Sequence, residues 1–120
     1  MMATLAPSTT RIVELNDRCR MGLDRSARIV ATRDCLATIA KGDRNIDLVI
    51  AQARLLKAVR DFRFATDDRT EHDFGALDLD GERIFFKIDY YDAALEHGSE
   101  DPSDASITTR VLTIMLARDY

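Results

Sequence analysis

Hydrophobic residues recur at helical spacing in two segments, and each spacing predicts an amphipathic helix. In the first, Ile12, Leu15 and Cys19 share one face of a helix expected from about residue 11 to residue 21, and Gly22 can end it. The second helix is expected over residues 46–60, with Asn45 as its N-cap. Its predicted buried stripe consists of Ile46, Val49, Ile50, Ala53, Leu56 and Val59.

Apolar and polar residues alternate in other segments, which predicts β-strands. Residues 28–33 suit a short strand, and residues 74–79 and 82–91 flank Asp80-Gly81, a dipeptide typical of a two-residue type I′ hairpin turn. This turn pairs Leu77 with Ile84, and it also pairs Asp78 with Arg83. The opposite charges of the second pair support the register, because such cross-strand pairs are stabilising.

Continued by two residues, the same register places His72 across from Asp89. A histidine beside a carboxylate could form part of a general-base system or a metal site. However, no serine or cysteine stands in a recognisable nucleophile motif, and only His97 and loop carboxylates could add metal ligands. We therefore interpret the pair as structural and assign no catalytic residue, metal ligand or cofactor.

The last apolar segment, residues 105–118, is apolar around most of its circumference when drawn as a helix, which predicts a central core helix. The expected fold is therefore α+β, with a small antiparallel sheet of three to four strands that has the hairpin at its centre and is packed by two or three helices. Residues 1–10 are expected to form an N-terminal tail and residues 11–120 a single domain, since 120 residues supply only one core.

Composition sets limits on location. Hydrophobic residues make up 46% of the chain and charged residues 32%, which is an ordinary balance for a globular protein. No apolar run approaches the ~20 residues of a membrane span. The first seven residues are too short for the apolar region of a secretory signal, and Cys19 and Cys35 lack metal-type spacing, so a cytoplasmic protein is expected.

Charge is distributed unevenly along the chain. Residues 67–120 hold 14 Asp and Glu against five Lys and Arg, a net charge of −9, whereas residues 1–66 carry +5. An acidic field attracts cationic partners and repels nucleic acid. The arginines of the first half are dispersed without interleaved aromatic residues, so direct nucleic-acid binding is not expected. The acidic half is either a solubilising surface or a face for a basic protein.

Several segments carry a resemblance to a known family. They are EHDFG at 71–75, DGE at 80–82, KIDYYD at 87–92, GSEDP at 98–102 and RVLTIMLA at 110–117, preceded by Leu15-Asn16-Asp17 and Arg20. By these motifs the chain resembles small proteins of a domain-of-unknown-function family encoded on proteobacterial plasmids and conjugative elements. Cys19 stands where an aromatic residue is common and Phe86 where tryptophan is common, and both substitutions fit a core.

The resemblance implies a genetic neighbourhood rather than a chemistry. Small acidic proteins of mobile elements often inhibit host defence by presenting carboxylates where a defence complex expects phosphates, and the analogy gains weight from the −9 half of this chain. We therefore predict a non-catalytic inhibitor of anti-CRISPR or anti-restriction type, whose partner is a CRISPR effector or nuclease with a basic surface. The predicted contacts are Asp67, Asp68, Glu71, Asp89, Tyr91, Asp92, Glu96, Glu100, Asp101 and Asp104.

Two alternatives stay open at this point. One is a small metal-dependent or His/Asp-based hydrolase built on His72 and Asp89. The other is a plasmid-maintenance accessory that acts by self-association, because the apolar last segment could be buried in a homodimer instead of in the domain. None of the three interpretations involves a membrane.

Overall fold

The computed structural model describes residues 6–120. Three helices and four strands follow one another as α1 (Pro7–Arg20), β1 (Arg28–Ala31), α2 (Arg33–Ile39), α3 (Asn45–Asp61), β2 (Phe74–Leu79), β3 (Glu82–Tyr91) and β4 (Thr109–Leu116), with a 3₁₀ turn at Ala117–Asp119. The expected α+β fold is confirmed.

The N-terminal helix begins earlier than predicted. Residues 1–5 of the expected tail lie outside the described residues, whereas residues 7–10 already belong to α1. Pro7 occupies the first turn of the helix. The N–H groups of the first turn make no hydrogen bond within a helix, so proline loses nothing by lacking one, and its fixed φ is close to the helical value. The serine and the two threonines that follow Pro7 complete the first turn of the helix.

The four strands form one sheet in the order β1-β4-β3-β2. The hairpin between β2 and β3 has the predicted register, with Leu77 opposite Ile84 and Asp78 opposite Arg83. Asp80 and Gly81 have φ angles of 54° and 79°, the two positive values that a type I′ turn requires. The sheet is mixed, because β1 pairs with β4 in parallel, and the hairpin lies at an edge of the sheet instead of its centre.

The predicted last helix is wrong, since residues 109–116 form the central strand β4. It pairs with β3 along eight residues and with β1 on its other side. β4 carries apolar residues on both of its faces, and periodicity alone does not separate such a short apolar run from a buried helix. Its β-branched residues, Val111, Thr113 and Ile114, fit a strand better than a helix.

The core lies between the helices and one face of the sheet. Cys19 of α1, Cys35 of α2 and Leu55 of α3 are fully buried against this face. The strand residues of the core are Ile84, Phe86, Ile88, Leu112, Ile114 and Leu116. Within residues 6–120, no helix is long and apolar enough to cross a membrane.

The predicted buried stripe of α3 is partly wrong. Ala51, Leu55 and Val59 face the core, whereas Ile46 and Val49 of the predicted stripe are 52% and 58% exposed. Because α3 carries apolar residues on more than one face, its spacing alone could not select the buried one. The span of the helix itself agrees with the prediction to within one residue at each end.

Gly75 is required by a close contact inside the hairpin. It lies opposite Phe86, and a methyl group on its Cα would overlap the Phe86 ring and press on Phe62. We expect Gly75→Ala to lower the free energy of unfolding by about 1–3 kcal/mol, because an overpacked core must shift its side chains. Urea denaturation measures the change. Gly98→Ala is the matched control, since its Cβ would meet only the Tyr90 carbonyl oxygen at 3.8 Å, and an equal loss in both variants would contradict the packing explanation.

Asp80 connects the hairpin turn to the helical layer. Arg54 donates two hydrogen bonds to its carboxylate, at 2.6 and 2.7 Å, and Lys41 donates a third, and these bonds hold the pKa of Asp80 well below its ordinary value. A lowered native pKa stabilises the fold above the unfolded-state pKa of about 3.9, and this contribution is lost as the pH falls towards the native value.

We therefore expect Asp80→Asn, which keeps an Asn-Gly turn, to lower the melting temperature at pH 7. The difference from wild type should shrink below about pH 4, where the unfolded-state carboxyl becomes protonated. Thermal melts across this range measure it. Asp78→Asn is the control, because the exposed Asp78–Arg83 pair is single and long at 3.3 Å. A difference that persists unchanged at low pH would exclude the ion-pair explanation.

Candidate functional site

A chain of buried polar side chains joins α1 to the middle of the sheet. Asn16, fully buried on α1, accepts a hydrogen bond from Nε of Arg110 at 2.6 Å. Its amide nitrogen donates to the hydroxyl of Tyr90 at 2.8 Å and to the backbone carbonyl of Glu71 at 2.9 Å. The Tyr90 hydroxyl then donates to the Glu71 carboxylate at 2.8 Å. We call these four side chains the polar network.

Arg110 is the only charged residue of the network that is almost fully buried, with 1% of its surface exposed. Its Nη2 donates to the backbone carbonyl of Pro102 at 2.6 Å, and its guanidinium carbon lies 5.1 Å from the centre of the Tyr90 ring. Among residues 6–120 no carboxylate forms an ion pair with it, and burial lowers its pKa. A buried cation held by neutral oxygens and a π face costs free energy that the surrounding fold must offset.

A second arginine attaches α1 to the end of α3. Nη1 of Arg20 donates to the backbone carbonyls of Val59, Arg60 and Phe62, at distances between 2.7 and 3.1 Å. The last carbonyls of a helix lack partners within the helix and carry partial negative charge, so this guanidinium serves as a C-terminal cap. Its Nη2 lies 3.2 Å from a carboxylate oxygen of Asp17, which is on the preceding turn of α1.

The predicted pairing of His72 with Asp89 is wrong. Nδ1 of His72 lies 3.0 Å from the Asp17 carboxylate, and its ring stacks on Phe64 at 3.9 Å. Asp89 instead pairs with Lys87 at 3.0 Å. His72 has a φ of 60°, so the chain leaves the hairpin geometry two residues before β2 begins at Phe74. The hairpin register therefore does not extend to His72.

The topology brings the acidic loops to one end of the sheet. Because β3 is antiparallel to both neighbours, β2 begins, β3 ends and β4 begins at the same end. The connecting segments 62–73 and 92–108 meet there, and we call it the loop end. Eight of the ten predicted contact residues lie in these segments. They are Asp67, Asp68, Glu71, Asp92, Glu96, Glu100, Asp101 and Asp104.

The other two predicted contacts, Asp89 and Tyr91, lie near the end of β3. They alternate with Tyr90, whose hydroxyl belongs to the polar network, and so point away from the helical layer. This face of the sheet also carries Lys87, Phe85 and Phe74. The two adjacent tyrosines therefore occupy opposite faces of the sheet.

Four of the acidic contacts also shape their own loops. Asp68, Asp101 and Asp104 each accept hydrogen bonds from the backbone N–H and hydroxyl group of a residue two positions later. Asp92 accepts from the backbone N–H of Glu96. Such turns give each of these aspartates a structural role in its own loop, and this role does not require a binding partner. The hydrogen bonds lower the pKa of Asp68, Asp92 and Asp104, so their carboxylates stay ionised.

The two ends of the sheet differ in ion pairing. At the hairpin end, Asp78, Asp80 and Glu82 each pair with an arginine, which is Arg83, Arg54 and Arg118 respectively. At the loop end, no carboxylate of segments 67–73 and 92–104 pairs with a lysine or arginine of residues 6–120, and the carboxylate of Asp68 lies 3.8 Å from Nε2 of His72. Three of these carboxylates without an ion-pair partner, Asp67, Glu96 and Glu100, are exposed there.

The buried thiols and the Tyr90 hydroxyl are held in their protonated forms. Burial raises the pKa of Cys19 and of Cys35 to about 11, so both thiols are protonated at neutral pH. Burial, together with Glu71, also raises the pKa of Tyr90. In the described part of the chain, no three His, Cys, Asp or Glu side chains are grouped as metal ligands.

Sequence reasoning missed Asn16, Asp17 and Arg110 as site residues. The available signals were a polar residue beside the apolar positions of α1 and a single arginine at the start of an apolar run. Asn16 neighbours Ile12 and Cys19 on the helix surface, so a buried location was readable from the spacing. Its partners were not, because they lie 55 to 94 residues away along the chain.

Comparison with known families identifies residues 34–119 with the family described as a protein of unknown function, DUF3768. This match covers more than half of the chain, so the chain belongs to that family. It includes α2, α3 and the whole antiparallel part of the sheet, and it leaves out α1. No curated protein and no solved structure matches the chain.

The polar network should behave as one energetic unit. We expect Asn16→Ala to lower the free energy of unfolding by about 3–5 kcal/mol, because it leaves the buried Arg110 charge without its amide partner. Tyr90→Phe should cost about 1–2 kcal/mol for the lost hydroxyl bonds. In the double variant the two effects should deviate from additivity by about 0.5–3 kcal/mol. Urea denaturation of all four proteins gives this coupling, and strict additivity would show that the side chains act independently.

Proposed function

We propose that this protein is a non-catalytic inhibitor that binds a basic, nucleic-acid-binding surface of a host defence complex through the carboxylates of the loop end. The defence complex would be of CRISPR or restriction type. The observation that carries the proposal is the contrast in ion pairing, because Asp78, Asp80 and Glu82 at the hairpin end have arginine partners within the fold, whereas the carboxylates of the loop end have none among residues 6–120.

Electrostatics explains how such a surface would choose its partner. Carboxylates on several loops present separated negative charges, as phosphates do along a nucleic-acid strand, and a field of one sign raises the rate of association with a basic surface. Because loop-end carboxylates are not neutralised from within, a partner can pair with them without first breaking internal ion pairs. The interaction should weaken steeply with salt.

Affinity would need a desolvated anchor in addition to charge. Tyr91 is half-buried on the face of the sheet that points away from the helices. An isolated β-bridge pairs it with Gly98. Tyrosine is enriched among the residues that dominate binding energy at protein interfaces. Tyr91 is therefore the proposed aromatic anchor, with Asp92 and Glu96 following it in the adjoining turn.

The proposal includes origin and location. A defence inhibitor of this kind would be encoded on a mobile element such as a plasmid, and it would act in the cytoplasm, where its target complex works. Support for these two points comes from the family motifs and from the two buried, protonated cysteines, which suit a reducing compartment. Membership in the DUF3768 family is compatible with the proposal.

One observation favours a second candidate, a small hydrolase. His72 and Asp17 form a histidine–carboxylate pair at 3.0 Å, and both line a cavity of about 590 Å³ between α1 and the segment after α3. In such an enzyme Asp17 would orient the ring and Nε2 would act on the substrate. Nε2 faces Asp68 at 3.8 Å, which suits an ion-pairing role better than a catalytic one.

A charge-reversal experiment tests the proposal. The triple variant Asp67→Lys, Glu96→Lys and Glu100→Lys changes three exposed loop-end carboxylates that form no described side-chain hydrogen bond, so the fold should persist. When the protein is expressed in hosts with intact CRISPR or restriction systems, we expect wild type to raise the efficiency of plasmid transformation. The triple variant should lose most of this effect, because the binding field is reversed.

The matched control is Asp34→Lys, Asp43→Lys and Asp119→Lys, which changes net charge equally at exposed positions away from the loop end. It should inhibit as wild type does. Inhibition by the loop-end variant at the wild-type level would refute the binding surface. His72→Gln separates the candidates, because an inhibitor of this kind should keep at least part of its effect whereas a hydrolase should lose its activity. Circular dichroism checks that each variant is folded.

A further inference from the structure

A cavity of about 730 Å³ lies between α1, the loop that leads into β1, and the segment before β4. Three arginines with exposed side chains border it, Arg11 and Arg18 on α1 and Arg25 in the loop. Arg110, the buried arginine of the polar network, also borders it. The one acidic residue of the lining is Asp24, whose carboxylate accepts hydrogen bonds from the backbone N–H and the hydroxyl of Ser26.

These guanidinium groups are poorly compensated within the fold. Arg25 and Arg110 have no ion pair among residues 6–120, and Arg18 makes one long contact, 3.5 Å from Nη2 to the carbonyl oxygen of Leu23. Arg11 pairs with Glu14, but both side chains are more than half exposed. An exposed pair of this kind contributes little free energy and is readily exchanged for another anion.

Among the four arginines, Arg110 is the one whose charge would be stabilised most by a bound anion. Its side chain stays charged at any physiological pH, is buried almost completely, and is bonded only to neutral oxygens in the described part of the chain. Four positive groups and one carboxylate around a single cavity repel one another unless an anion lowers the local potential. A bound anion would supply the missing counter-charge.

We infer that this cavity is a binding site for a small phosphate-bearing molecule. The planar fork of a guanidinium matches phosphate oxygens in pairs, and a phosphate monoester carries a charge of about −1.5 to −2, enough to engage several arginines at once. The volume is much larger than one phosphate and falls in the usual range of ligand sites. Leu15, Leu23 and Ala105 provide apolar wall for the rest of the ligand.

This inference is independent of the proposed inhibitory function. Both features border the segment before β4, but Arg18 and Arg25 lie on α1 and in the loop that leads into β1, whereas the acidic contacts belong to later segments of the chain. Substitution of Arg18 and Arg25 should therefore leave the carboxylates of the loop end in place.

Titration calorimetry of the full chain with pyrophosphate tests the site. We expect saturable binding that weakens as potassium chloride is added, because exposed charges are screened. The double variant Arg18→Gln and Arg25→Gln should bind at least about tenfold more weakly, since it removes two charge-assisted contacts. Arg33→Gln with Arg83→Gln is the matched control, equal in charge and outside the cavity, and should bind as wild type does.

Three results would overturn the inference. The first is the absence of pyrophosphate binding to wild type at millimolar concentrations, and the second is equal binding by both double variants. The third is tighter binding of citrate than of pyrophosphate, which would assign the cavity to carboxylates. Thermal melts of both double variants confirm that they are folded, as expected for substitutions of exposed side chains.

Discussion

A buried cation without an ionic partner constrains the whole arrangement of this fold. Arg110 lies at the start of the central strand, and its charge is accommodated by Asn16 from α1, by the Pro102 carbonyl from the preceding loop, and by the ring of Tyr90 from β3. Each of these groups must occupy one position, because a buried guanidinium with a missing partner is strongly destabilising. One side chain thereby fixes a helix, a loop and two strands relative to one another.

The same constraint organises the loop end. Asn16 and Tyr90 continue the hydrogen-bond chain to Glu71, while Asp17 binds His72 and Arg20 caps α3. Asn16 and Asp17 of α1 therefore hold the segment that leads into β2. Arg20, one turn later on the same helix, holds the segment that follows α3. The acidic loops between these anchors gain defined positions, and that is what a surface needs if separated carboxylates are to match a partner's basic groups.

Patterns within a few residues predicted the local structure well. The predictions were wrong where contacts between residues far apart in the sequence determine the structure. The Asp80-Gly81 turn, its register and the span of α3 were readable, because turn geometry and helical spacing act over a few residues. β4 was mistaken for a helix because a central strand and a buried helix share one apolar pattern. His72 was misassigned because its backbone turns to a φ of 60°, and its partner Asp17 lies 55 residues earlier. Nothing within a short window carries that information.

The chemistry of the polar network also indicates where function should be sought. A buried ionic or polar group rarely adds net stability over well-packed apolar residues of similar volume, so stability alone does not account for Arg110 and Asn16 at this position. What an apolar replacement would lack is the directional bonding that positions the Pro102 loop and Glu71. It would also remove one of the arginines that border the 730 Å³ cavity. Both consequences fall at the loop end, where the acidic loops and the arginine-lined cavity meet, and none falls at the hairpin end, where Asp78, Asp80 and Glu82 are already paired.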